Sequence, residues 1–332
     1  MVFIIQTNLT QIIQDINPVS NSLALFRLRS YFKKNKFDIV HTHSSAAGIL
    51  GRIAARLAGV PVIIHTVHGW GLQEGMNFFK KQLYIFLERL CGKFTDKLVV
   101  VSKVDIEKGL EYKIGNRSKY AVIYSGIDIK KFSKTADTGK KRKELGLKET
   151  LPVVGMIGRL DVQKNPLDFV RAAAEIQKQF RNVQFVIVGD GPLRKQAEEL
   201  VKELKIQNFR LLGFRDDVDE IIHTFDISVM TSLWEGLPRV FPESMAAKKP
   251  IVATNVDGAK EAIVEGVNGF RVETHRPEKV AEKVLYLLKN PRIAREMGEK
   301  GYAMVEKFSL SKMLQDIEDL YEKLIKYKNT SE

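Results

Sequence analysis

Two carboxylates separated by seven residues, Glu235 and Glu243, stand in the run Ser232-Leu233-Trp234-Glu235-Gly236-Leu237-Pro238-Arg239-Val240-Phe241-Pro242-Glu243-Ser244. The Gly and the two Pro between them argue against one continuous helix. Glu235 is therefore expected in a loop after a strand over 226–232, and Glu243 in the first turns of the helix that follows. Such a junction gathers carboxylates, the loop amides of Gly236 and Leu237, and a helix N-terminus at the carboxyl end of a strand. Open parallel sheets bind nucleotides in that crevice, and helix N-termini attract anions. A negative charge in a first helical turn is also favourable by itself, by ~0.3–1 kcal/mol, so Glu243 has a structural reason as well as a chemical one.

A second set of polar residues points the same way. Arg159 and Lys164 lie five residues apart, after a strand and ahead of a helix that begins near Pro166. Arg presents a rigid fork to phosphate and Lys a point charge; solvated loop cations are the plain alternative. Gly189-Asp190-Gly191-Pro192 closes one strand and opens a helix, which is also what an ordinary tight turn would do. His41 and His43 form a His-x-His pair, but no third ligand accompanies them and no metal is expected. His65 falls inside a strand and reads as a satisfied core histidine. His68 follows the same strand in His68-Gly69-Trp70, and its charge is adjustable near neutral pH.

The elements that must position these groups alternate. Strand-like runs at 37–41, 62–65, 98–101, 121–124, 153–157, 184–188, 210–212, 227–230, 251–253 and 270–272 are separated by helical patterns. That alternation predicts parallel sheets built from βαβ units. After Pro192, residues Leu193, Ala197, Leu200, Val201 and Leu204 share one helical face, with Pro192 in its first turn. The polar, charged stretch between Phe132 and Leu151 reads as an interdomain connection. The expected division is a first domain over 1–132, a linker over 133–150, a second domain over 151–309 and a terminal helix over 310–332.

The 332 residues suit two domains, and 44% apolar content allows two cores. The net charge of +13 is uneven: residues 1–130 carry 18 Lys and Arg against 9 Asp and Glu. A basic first domain attracts anionic partners, yet no nucleic-acid motif is present. Residues 26–34 and 78–86 mix basic and apolar side chains. They read either as membrane-surface segments or, more plainly, as core-facing stripes backed by solvated Lys. The single Cys91 rules out an internal disulfide and fits a reducing compartment. No apolar run approaches the ~20 residues of a membrane span, and the start lacks a secretory signal's basic region. A cytoplasmic protein is expected, with an anionic membrane surface among its partners at the inner face.

Taken in order, Gly158-Arg159-Leu160-Asp161-Val162-Gln163-Lys164-Asn165, Val188-Gly189-Asp190-Gly191-Pro192, Leu211-Leu212-Gly213-Phe214, the Glu-x7-Glu run, Pro250-Ile251-Val252-Ala253-Thr254 and Gly266-Val267-Asn268-Gly269-Phe270 resemble the retaining glycosyltransferases of family 4. The N-terminal half adds Asp38-Ile39-Val40-His41-Thr42-His43 and His65-Thr66-Val67-His68-Gly69-Trp70, so the resemblance covers nearly the whole chain. It implies an α/β fold of the GT-B type, two Rossmann-like domains facing a central cleft. It also implies that an opening strand–turn–helix unit is absent, because Met1-Val2-Phe3-Ile4-Ile5 reaches Asp38-Ile39-Val40-His41 too soon; the first sheet would then be reduced by roughly one βαβ unit, ~30 residues or more.

By the same resemblance Arg159 and Lys164, with the amides of Gly236 and Leu237, hold the donor diphosphate. Glu243 accepts from ribose hydroxyls. Gly189, Gly191, Pro192, Leu212, Gly213 and Phe214 border the nucleotide, though Phe214 also suits a core. Glu235 and His68 serve the donor sugar, and Trp70 either shapes the acceptor mouth or packs. The implied reaction moves a sugar from a nucleotide donor, UDP in preference, onto a lipid-linked or polysaccharide acceptor. It retains anomeric configuration by a front-face route, with no metal and no cofactor. Two other readings stay open: a truncated chain that binds nucleotide-sugar without transfer, and another GT-B enzyme such as a nucleotide-sugar epimerase.

Overall fold

The structure is a computed structural model and describes residues 18–70, 76–134 and 137–331. The opening residues on which the missing-unit expectation turns lie outside them. The chain divides into two compact units, Met1–Tyr124 with Met313–Glu332, and Ser125–Lys312.

In the first unit, helix α1 (Pro18–Asn35) precedes strand β1 (Ile39–His43), α2 (Ser45–Ala58), β2 (Val62–Val67), α3 (Phe78–Phe94), β3 (Lys97–Val100), α4 (Lys103–Glu111) and β4 (Tyr120–Val122). The four strands lie parallel in the order β1-β2-β3-β4. Every residue of β2 is buried, as expected when both faces of a parallel sheet are covered. One face packs Val62, Ile64 and Val99 against Met313, Ile317, Tyr321 and Leu324 of the last helix. The other packs Val40 and Ile63 against Phe32 of α1, Ala55 of α2 and Phe94 of α3. Between α2 and α3, the fully buried Arg52 of the first pairs with Glu88 of the second at 2.7 Å.

In the second unit, α5 (Ile129–Ser133) and α6 (Thr138–Glu144) lead into β5 (Val153–Ile157), α7 (Pro166–Gln179), β6 (Gln184–Val188), α8 (Arg194–Glu203), β7 (Phe209–Leu211), α9 (Val218–Ile221) and β8 (Ile227–Met230). Then come α10 (Val240–Ala246), β9 (Ile251–Thr254), α11 (Ala259–Ala262), β10 (Gly269–Val272), α12 (Pro277–Lys289) and α13 (Pro291–Ala303); the last helix, α14 (Leu310–Ser331), belongs to the first unit from Met313 onward. The six strands are parallel in the order β10-β9-β8-β5-β6-β7. The order reverses between β5 and β8, so the loops leaving these two strands diverge and open a crevice at their carboxyl ends.

Several expectations need correction. Residues 133–150 are not a linker: the division falls at Tyr124, and α6 is docked on the second unit. Lys141 of α6 pairs with Asp217 at 2.9 Å and Glu220 at 2.7 Å, and Arg142 pairs with Asp226 at 2.9 Å. The charged run read as an interdomain connection is thus tied down by carboxylates that lie far away in sequence. Pro192 precedes α8 rather than joining its first turn. The strand placed at 226–232 is Ile227–Met230. The stretches 26–34 and 78–86 do not turn all their apolar residues inward. Phe26, Phe78, Phe79, Leu83 and Phe86 are exposed, whereas Leu28, Tyr84 and Ile85 are buried. The plain core-stripe reading holds for one side of each helix only.

Two glycines of the second sheet are fixed by sterics. At Gly189 the backbone has φ +136° and a Cβ would strike the carbonyl of Gly158. At Gly155, in the middle of β5, a Cβ would run into the ring of the fully buried Phe225. Gly155→Ala should therefore overpack this site and cost about 1–3 kcal/mol. Combining it with Phe225→Ala should cost less than the two single changes added, because the cavity receives the new methyl. Urea denaturation of the two single variants and the double variant checks this; strict additivity would show the contact to be unimportant.

Candidate active site

The β5–α7 loop carries Arg159 and Lys164, and Asp161 shapes it. Its carboxylate accepts from the Lys164 amide at 3.0 Å and from Arg159 Nε at 2.6 Å. Asn165, at φ 45°, turns the chain into α7, which starts at Pro166. Asn tolerates that left-handed conformation, and Pro suits the first helical position.

The β8–α10 loop carries Glu235, Gly236 and Leu237, all buried. It is laced to the β5–α7 loop. The Leu233 amide donates to Gln163 O at 2.8 Å, and Gln163 Nε2 donates to Trp234 O at 2.9 Å and reaches Glu235 Oε2 at 3.4 Å. Thr231 Oγ1 donates to Asn165 O at 2.8 Å. Across this lacing Lys164 Nζ bonds directly to Glu235 Oε1. Glu235 is 8% exposed, so its negative charge is held by a lysine at the strand-order reversal and not by bulk water.

Glu243 is the fourth residue of α10 and 8% exposed. Arg239, one turn earlier, lies 3.8 Å from Oε1. Burial raises the Glu243 pKa, while Arg239 and Lys131 partly offset that. Around β6 the turn is equally fixed: Gly189 N donates to Gly213 O at 2.8 Å, and Leu160 N to Asp190 O at 3.0 Å. Gly191, Pro192, Leu212 and Gly213 follow on these turns. Phe214 is 75% exposed, which excludes the core alternative.

The structure thus joins Lys164 to Glu235. Arg159 stays on the same loop but turns to Asp161, with its side chain mostly exposed. In the first unit, His65 is buried and bonds Thr42 Oγ1 at 2.9 Å, a satisfied core histidine. Trp70 packs, its Nε1 donating to Asp105 O at 2.7 Å. His68 stands just past the end of β2. Among the described residues no group of three or more His, Cys, Asp and Glu side chains is placed to hold a metal. Sequence reading missed Asp161 and Gln163. The Asp–x–x–Lys spacing, in which a side chain caps an amide three residues on, was the available signal for Asp161.

Residues 137–304 match the family model described as glycosyl transferases group 1, and residues 14–131 match glycosyltransferase family 4. The first of these spans half of the chain, and an Escherichia coli relative makes the same point. That relative is the UDP-Gal:alpha-D-GlcNAc-diphosphoundecaprenol alpha-1,3-galactosyltransferase. It is 35% identical over 315 residues, covering 93% of this chain and 81% of its own length. The chain belongs to the group 1 glycosyltransferases. The Staphylococcus aureus capsular polysaccharide biosynthesis glycosyltransferase CapM is 25% identical, with 94% of this chain and 84% of the relative covered. In fold the chain is similar to Anabaena HepE solved with UDP and glucose: TM-score 0.82, 22% identity, 93% of this chain and 84% of that one. The fold is GT-B, and the protein is a glycosyltransferase enzyme.

The raised pKa of Glu243 has a consequence for stability. A carboxyl whose folded pKa exceeds its unfolded value destabilises the fold once ionised, so stability is lost as pH rises through that folded pKa. Glu243→Gln should raise the melting temperature of the ligand-free protein at pH 7. The gain should vanish below the ordinary Glu value of 4.5. Melting curves across that range check it; an equal gain at every pH would assign the effect to something other than ionisation.

Proposed function

We propose that this enzyme transfers a hexosyl group from a UDP-sugar to a lipid-linked glycan acceptor, with retention and without metal. The observation that carries this is the Lys164–Glu235 contact at the strand-order reversal. On this reading the lysine is the cation that meets the departing diphosphate, and the carboxylate faces the donor sugar. Arg159 shares its loop, and its exposed guanidinium can turn from Asp161 to phosphate, where it would match oxygen pairs bidentately. The amides of Gly236 and Leu237 supplement these cations. Fixed positive charge of this kind stabilises a departing diphosphate, which is the role a metal otherwise plays.

Ionised Glu243, acceptor-only, suits the vicinal diol of ribose. Gly189, Gly191, Pro192, Leu212 and Gly213 border the nucleotide, and the exposed ring of Phe214 is free to meet the base. His68 gives a hydrogen bond to a sugar hydroxyl or phosphate oxygen. In the front-face step the bond from the anomeric carbon to the β-phosphate oxygen breaks. The acceptor oxygen bonds to that carbon on the same face, and the acceptor's proton passes to the departing phosphate. The names of two relatives support the substrate classes: the E. coli enzyme's acceptor is a diphosphoundecaprenol lipid, and a relative from Acholeplasma laidlawii, 25% identical, is alpha-monoglucosyldiacylglycerol synthase.

A lipid-linked acceptor must be reached at a membrane. No helix among the described residues is long and apolar enough to cross one. Instead α3 bears a second apolar stripe, Phe79, Leu83, Phe86 and Leu90, exposed and spaced at helical intervals opposite its buried side. Lys80 and Lys81 lie beside it, in a segment of strong positive charge. This pattern supports a helix that rests on an anionic surface, and on this reading the enzyme attaches peripherally at the inner face.

Turnover of UDP-galactose or UDP-N-acetylglucosamine on a diphosphoundecaprenol-linked sugar, measured with EDTA present, tests the reading. Activity should survive chelation, and Glu235→Ala, Lys164→Ala and Arg159→Ala should each lose at least ~100-fold, the scale of removing one charge-stabilising group. Wild-type turnover in all three would remove the site assignment. Separately, Phe79→Asp with Phe86→Asp should weaken sedimentation with phosphatidylglycerol vesicles at least ~10-fold, since each exposed Phe that enters lipid contributes roughly 1.5–3 kcal/mol. Undiminished vesicle binding would point to another attachment surface.

A further inference from the structure

The carboxyl ends of β1 and β2 carry three imidazoles in a row. Register sets His43 opposite Thr66. Because side chains alternate along strands, His41 and His43 share a face with Thr66 and His68, the face that α14 covers. His41 is held at both nitrogens, with Nδ1 2.6 Å from Tyr321 Oη of α14 and Nε2 2.7 Å from Thr66 Oγ1. His43 stacks on His41, ring centroids 4.6 Å apart and planes 24° off parallel. At the outer edge, His43 Nδ1 lies 3.0 Å from His68 Nε2.

Burial and the neighbouring imidazoles lower His41 to about 3; burial, then His68, lowers His43; burial lowers His68. The row is therefore neutral near pH 7. A neutral imidazole has one donor nitrogen and one acceptor, and an N–H···N bond holds one proton. Two arrangements result, differing in which ring donates. In both, Nε2 of His68 is committed to His43 and only Nδ1 remains to face a ligand.

We infer that His43 is a positioning residue for sugar transfer: it grips His68 by Nε2 and turns Nδ1 toward the substrate oxygen. This rests on the role proposed above for His68. His43 itself touches no substrate, and its effect passes entirely through the ring it holds. The stack on His41, anchored by Tyr321, fixes His43 in turn. An orienting partner on the far nitrogen is how proteins commonly set which imidazole nitrogen is presented.

Two substitutions separate the hydrogen bond from the stack. His43→Phe keeps a flat ring over His41 but removes the nitrogen. His43→Asn loses the ring but keeps a donor–acceptor group at the Nδ1 position. His43→Phe should lower kcat about tenfold or more with the KM for nucleotide-sugar little changed, and His43→Asn should restore most of that loss. In the nitrogen-15 NMR spectrum of labelled protein, the His68 resonances should shift in His43→Phe and return toward wild type in His43→Asn. Melting temperatures confirm that both variants fold. Full activity of His43→Phe beside an inactive His68→Ala would overturn this inference alone. A fully active His68→Ala would overturn the role of His68, and this inference with it. Unchanged His68 resonances in His43→Phe would show that the two rings are not coupled.

Discussion

The arrangement of the second unit follows from one constraint, the reversal of strand order between β5 and β8. Neighbouring parallel strands whose crossovers run in opposite directions send their loops apart. The gap left at their carboxyl ends receives Lys164 and Glu235 from the two loops that border it. Everything local serves to keep that gap shaped. Asp161 and Gln163 organise one wall, Thr231 and the Leu233 amide tie it to the other, and glycine at 155 and 189 lets backbone and ring approach where a methyl would not fit. The Lys164–Glu235 bond is then less a source of stability than a result of this lacing, because buried ion pairs contribute little net energy.

Much of this was legible in the sequence, for identifiable reasons. Strands such as Val153–Ile157, and Gln184–Val188 after its first residue, are unbroken apolar runs because both faces are covered, and such runs are easy to bound. Glu235 in a loop and Glu243 in a first helical turn followed from Gly236, Pro238 and Pro242 alone. What was not legible depended on distant partners. Residues 137–144 look like solvated chain until Asp217, Glu220 and Asp226 are brought beside them. The direct contact of Lys164 with Glu235 crosses 71 positions. No local pattern encodes it; only the adjacency of β5 and β8 does.

The first unit shows a different limit. Helix α3 is apolar on two sides, one packed and one open, so periodicity identifies the helix but cannot say which side meets the core. Tyr84, Ile85, Cys91 and Gly92 are enclosed, while Phe79, Leu83, Phe86 and Leu90 are not. The three imidazoles were similarly invisible as a group. His41 and His43 invited comparison with metal ligands, whereas the fold gives them Tyr321, Thr66 and His68 as partners.

The pairing of Lys164 with Glu235 also bears on which ligands the crevice tolerates. A small phosphate that draws the lysine away leaves the shielded carboxylate without its cation, and so gains little. A molecule that offers phosphate oxygens and hydroxyls together satisfies both halves of the broken pair. On the proposed reading, an intact donor brings sugar hydroxyls to Glu235, whereas the ribose hydroxyls that spent nucleotide keeps go to Glu243.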